Sequence, residues 1–195
     1  MSSEEKDTRT RILQTTWELL ESNPSRSLKM SEIAKASGVS RQALYLHFDS
    51  RTELLIATTH YVDDVKKLDQ RLLKLQSAKS GKEMLHRCVD IWGNYIPEIY
   101  SVSKALMMGK DSDEAAAAAW ADIMGCLHGV CEQIIQTLEK ENKLAAHWSQ
   151  KDATDFVWTL MSIQNWEQLT TECEWNQDQY ISHVTHVLTD TLIPK

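Results

Sequence analysis

The chain has 195 residues, 42% hydrophobic and 25% charged, enough for one large domain or a small domain joined to a larger one. Its formal net charge of −7 excludes a strongly basic, nonspecific binder of polyanions. No stretch approaches the roughly 20 apolar residues of a membrane span, and the polar, acidic opening is unlike a secretory signal, so no membrane association and a cytoplasmic location are expected.

With only three Pro and six Gly, the chain reads as all-α with about nine helices. The first is predicted over residues 7–22, with Ile12, Leu13, Thr16, Trp17 and Leu20 on one face, ended by Asn23-Pro24-Ser25. The second (30–37) buries Met30, Ile33 and Ala34, and the third covers 41–48. The fourth opens on the capping-box pattern Ser50-Arg-Thr-Glu53 and runs to residue 76 along Leu54, Thr58, Tyr61, Val65, Leu68, Leu72 and Leu75. Pro97 is read as the first turn of a sixth helix that follows a fifth over 82–95. The remaining helices are expected over 113–142, 152–173 and 177–192. The domain boundary is placed at 50/51: a three-helix head over 1–50, and a larger helical domain over 51–195 reached through the fourth helix.

Residues 31–55 carry the strongest functional signal. Ala34, Gly38 and Leu44 hold the positions on which a helix-turn-helix depends. Ala34 is small where a second helix must cross close by. Gly38 stands where the chain leaves the first helix in the left-handed region, and Leu44 points back into the small core. Ser40 is placed to cap the second helix, whose exposed face then carries Arg41, Gln42, Ala43, Tyr45 and His47. Such groups near a helix N-terminus suit the major groove of DNA. The net charge does not oppose this. Residues 1–56 hold eight Lys or Arg against eight Asp or Glu, and the remainder holds 13 against 20, so the whole excess of negative charge lies outside the head.

Residues 9–56 resemble the N-terminal domain of the TetR family of transcriptional regulators. The resemblance rests on Arg11-Ile12-Leu13, Ile33-Ala34, Gly38-Val39-Ser40, Leu44-Tyr45-Leu46-His47-Phe48 and Ser50-Arg51-x-Glu53-Leu54. It covers about a quarter of the chain. It implies that Arg41, Gln42 and Ala43 read bases, that Tyr45, His47 and Arg51 meet phosphates, and that Lys29 and Ser31 lie near the DNA backbone. Lys29 departs from the family, many of whose members place a capping Ser or Thr there. The resemblance further implies a variable C-terminal domain that holds a ligand pocket and a dimer interface.

Six of the seven Trp lie outside the head, and they have two readings. One is core and interface packing. The other is an aromatic pocket lined by Trp92, Tyr95, Met107, Trp120 and Met124, with Asp90, Glu98 or Asp122 at the wall, suited to a flat, cationic or hydrophobic ligand. The last two predicted helices carry apolar residues on more than one face. A dimer seam is expected from Val157, Leu160, Met161, Tyr180, Ile181, Val184, Val187 and Leu188, joined as a four-helix bundle with a second copy. Cys88, Cys126, Cys131 and Cys173 are scattered and read as reduced thiols. His183 and His186 lack a third ligand, so neither metal nor cofactor is expected. No nucleophile elbow, phosphate loop or metal-hydrolase helix is present, so the chain is not expected to be an enzyme. The expected function is a homodimeric repressor, released from a palindromic double-stranded operator by a small hydrophobic or aromatic molecule. The alternative is a ligand-independent dimeric activator or architectural regulator.

Overall fold

The computed structural model describes residues 3–24 and 26–194, so Ser25 of the expected helix terminator lies outside the described residues. Among those described there are ten α-helices and no strand. In chain order they are α1 (Ser3–Ser22), α2 (Met30–Ala36), α3 (Arg41–His47), α4 (Arg51–Val65), α5 (Leu68–Gln76), α6 (Gly81–Gly109), α7 (Glu114–Lys140), α8 (Gln150–Leu160), α9 (Ile163–Glu167) and α10 (Gln177–Leu192). A single π-helical turn, Gln168–Glu172, follows α9. No described helix is long and apolar enough to cross a membrane.

Three boundaries differ from expectation. The predicted fourth helix is two, because Lys66 and Lys67 interrupt it. Lys67 takes a left-handed φ of 56°, and the Lys66 N–H closes α4 on the Val62 carbonyl at 2.8 Å. The apolar stripe that suggested one helix fails at the same place, since Val65 is exposed. Pro97 starts no helix; α6 runs through it with the ring on the exposed side. The predicted helix over 152–173 breaks at Met161, after which Ser162 caps α9 through the Asn165 N–H at 3.2 Å.

The chain forms two compact units. The first joins the described residues up to Lys67 with Ile99–Asp122. The second joins Leu68–Glu98 with Ile123 onward. One tie explains why the first unit reaches so far along the chain: Thr52, at the start of α4, donates its hydroxyl to Asp113, whose other oxygen accepts the Ala116 N–H at 3.0 Å at the start of α7. These two bonds hold the Asp113 carboxyl below the usual carboxylate range.

The core of the second unit is built from Leu85, Val89, Ile134, Ile135, Leu138, Val157, Val184 and Leu188, among others. Cys88 and Cys131 belong to it. Burial pushes the Cys88 thiol up to about 12 and moves Cys131 in the same direction. Cys126 and Cys173 are exposed. A chromogenic disulfide reagent at pH 8 should therefore titrate two of the four thiols quickly in the native protein, and the other two only after denaturation. Four equally fast thiols would contradict this core.

Gly93 on α6 lets α10 come close. A Cβ there would stand 2.5 Å from Ile181 Cγ1 and 3.1 Å from its Cδ1. Gly93→Ala should cost about 1–3 kcal/mol through overpacking, read as a drop of several degrees in the thermal midpoint.

Candidate nucleic-acid interface

The head belongs wholly to the first unit. α1 packs on α2 and α4, and α2 packs on α3. The turn between α2 and α3 is closed by backbone bonds from Ser37 N–H to Ile33 (2.9 Å) and from Val39 N–H to Ala34 (3.0 Å). Gly38 supplies the φ of 69° that the turn requires. Ser40 accepts the Ala43 N–H at 3.0 Å and so caps α3. Beneath α3, Leu44 and Phe48 are fully buried, and Met30, Ile33 and Ala34 join them from α2.

The outward face carries Arg41, Gln42, Tyr45 and Leu46, all exposed, with Ala43 and His47 half-buried at its edges. Arg41 lies over the Tyr45 ring, Cζ to centroid 5.6 Å, which orders both side chains one turn apart. Leu46 was missed by sequence reasoning. At 82% exposure it is a large apolar side chain on the outward face of α3 that takes no part in the core. Its signal was its place inside the Tyr-x-His-Phe pattern.

Three guanidinium groups brace the head. Arg9 stacks on Phe48 at 4.5 Å, Arg11 Nε donates to the Ser37 carbonyl at 3.1 Å, and Arg51 Nε donates to the Leu28 carbonyl at 2.8 Å. Arg51 is half-buried, and burial draws its pKa below the ordinary guanidinium value, against the pull of Asp113. It therefore anchors the segment before α2 as well as supplying positive charge. At α2 the missing Ser or Thr cap is replaced from behind: Glu32 accepts the Lys29 backbone N–H at 2.9 Å and pairs with Arg26. The Lys29 and Ser31 side chains are exposed. At α4 the Ser50 hydroxyl accepts the Glu53 N–H at 3.0 Å, while Glu53 reaches back to the N–H of Asp49, one residue before the cap.

The five residues expected to line a pocket do not share a unit. Met107 and Trp120 fall in the first; Trp92, Tyr95 and Met124 fall in the second. Trp92 and Tyr95 are neighbours, ring centroids 6.2 Å apart. The Trp92 indole N–H donates to the Met161 carbonyl, and Tyr95 is 1% exposed. Met124 and Trp120 are buried. A separate surface cleft of about 300 Å³ in the second unit is lined by His128, Glu132, Gln150, Lys151, Thr154 and Asp155, none of them predicted.

The expected dimer seam needs correction. Val157, Met161, Tyr180, Val184 and Leu188 lie in the protomer's own core, where a second copy cannot reach them. Ile181 packs on Gly93. The apolar stripes of α8 and α10 are satisfied largely within the chain, and of the predicted set Val187 is exposed and Leu160 half-buried. Val184→Glu with Leu188→Glu should thus unfold the second unit rather than release folded monomers, since two carboxylates would enter a dry core. Circular dichroism with light scattering checks this; a folded monomer would restore the seam.

Residues 12–58 match the family described as "Bacterial regulatory proteins, tetR family". The nucleoid occlusion factor SlmA of Marinomonas sp. is 36% identical over 64 residues, which cover 33% of this chain and 32% of that protein. An uncharacterised HTH-type transcriptional regulator of Mycobacterium tuberculosis is 31% identical over 110 residues, 56% of this chain and 46% of that protein. The match thus spans about a third and about half of the length of these curated relatives. Among solved structures, a transcriptional regulator from Saccharomonospora viridis in complex with choline aligns with TM-score 0.81 at 18% identity, over 97% of this chain and 100% of that one. NalD, the secondary repressor of the MexAB-OprM multidrug efflux pump in Pseudomonas aeruginosa, aligns with TM-score 0.72 at 20% identity, over 99% of both.

Proposed function

We propose that this chain, whose residues 12–58 match the tetR-family model, is a homodimeric DNA-binding repressor that a small hydrophobic or aromatic molecule releases from a palindromic operator. The observation that carries this is the face of α3. Arg41, Gln42, Tyr45 and Leu46 are exposed together on a helix whose turn, cap and underside are all fixed. Each of these groups has a partner on DNA: guanidinium and amide with base edges, the Tyr hydroxyl with phosphate, the Leu methyls with thymine. Arg51, Lys29 and Ser31 add backbone contacts at the two flanks.

Dimerisation supplies the second reading helix at a spacing of about one DNA turn, so that the operator mirrors the protein's two-fold axis. Leu160 and Val187 are the apolar positions of the former seam still available for this contact. Release by ligand is a population shift toward a conformer whose two heads no longer match adjacent major grooves. The choline-bound neighbour in fold supports a small-molecule effector. The likeness to a nucleoid occlusion factor favours the ligand-independent architectural alternative, and an operator complex insensitive to every small molecule tried would select it.

Selection of binding sites from random DNA tests the central reading. The wild-type chain should return a palindromic sequence. Gln42→Ala should bind that sequence about 1–3 kcal/mol more weakly and lose preference at one base pair per half-site. An unchanged sequence preference in the mutant would remove Gln42 from base reading, and failure to select any sequence would remove the function.

A further inference from the structure

Arg71 lies in the first turns of α5, and its guanidinium rests on an aromatic floor. Cζ is 5.2 Å from the centroid of the Tyr95 ring. Its Nη2 donates to both oxygens of Glu98, at 3.0 and 2.8 Å. Tyr95 and Glu98 are three residues apart on α6, so ring and carboxylate stand on one face. Trp92, one turn from Tyr95 on the same helix, adds a tilted second ring whose plane is fixed by its bond to Met161. The floor is dry, with Tyr95 1% exposed, while the mouth is partly exposed: the Arg71 and Glu98 side chains are 25% and 28% exposed.

An aromatic face, a carboxylate set beside it and a partly desolvated mouth are the parts from which proteins build sites for organic cations. Here the chain's own cation occupies such a site. We propose that Tyr95, Glu98 and Trp92 form an organic-cation site of which Arg71 is the resident occupant, and that the effector is an ammonium or guanidinium head on an apolar body that displaces it. This rests on the reading of the chain as an effector-released repressor and narrows the effector's class.

The exchange is physically economical. Glu98 keeps a cationic partner throughout, so no half-desolvated carboxylate is stranded. The departing guanidinium enters water on a flexible stem. Arg71 is also a charged tie between α5 and α6, and among the apolar residues of α5 only Leu75 is fully buried, while Leu73 is 63% exposed. Losing that tie loosens the first turn of α5, directly after the left-handed Lys67. A signal read at the mouth of the site therefore reaches the first turn of α5.

The test uses the purified full chain titrated with methylguanidinium chloride and with tetramethylammonium chloride, sodium chloride holding ionic strength constant. Tryptophan fluorescence and the thermal midpoint are the readouts. Arg71→Ala, whose site has lost its occupant, should bind methylguanidinium at least tenfold more tightly than the wild type, with a saturable rise in midpoint. Arg71→Lys should fall between the two, and adding Glu98→Gln to either should abolish binding. Equal affinity in wild type and Arg71→Ala, or affinity that survives Glu98→Gln, would overturn the site. If Arg71→Ala does not fold, Arg71→Lys against wild type carries the same comparison, and equal affinity overturns it. Operator binding is measured in parallel on the wild type without added cation. Cation affinity in the expected order with no operator binding would keep the site and remove the repressor reading. Operator binding with no ordered cation affinity would do the reverse.

Discussion

The exposed face of α3 depends on burying Leu44 and Phe48. α3 has seven residues, as does α2, and helices that short do not persist alone in water. Their order comes from below and from the ends: two fully buried side chains, a glycine turn, a serine cap and three guanidinium groups bound to backbone carbonyls or to the Phe48 ring. The outward face contributes little to its own stability, which leaves its residues free to be chosen for something other than the fold.

That division also resolves the charge balance. A head with no net charge binds a polyanion if its cations are held where phosphates arrive and its carboxylates are occupied elsewhere. Glu32 and Glu53 are occupied in this way, accepting the backbone N–H groups of Lys29 and Asp49. Arg9, Arg11 and Arg51 are pinned in place rather than spread through solvent. Placement substitutes for quantity.

The head was legible in the sequence because its determinants are local. Gly38, Ser40, Leu44 and the Ser50–Glu53 pattern each act within a few residues of themselves. The second unit was less so. Periodicity reports that Val157, Val184 and Leu188 are apolar on a helix face, but not whether a second copy or the chain's own helices cover that face. The break at Lys66–Lys67 carried no Gly or Pro to mark it, because lysine is an uncommon occupant of the left-handed region. Arg71 and Glu98 are 27 residues apart and carry no shared motif, so only the packing of α5 and α6 joins them.

Pro97 gives α6 a mechanical property that its length conceals. A proline brings no N–H, so the carbonyl of Gly93, four residues earlier, has no rung of the helical ladder to close. The gap lies next to Glu98 in the chain. A rod flexes most cheaply where a rung is already missing, since bending there breaks no hydrogen bond. In a helix of 29 residues this marks one point of compliance in an otherwise stiff strut, beside the carboxylate that holds Arg71.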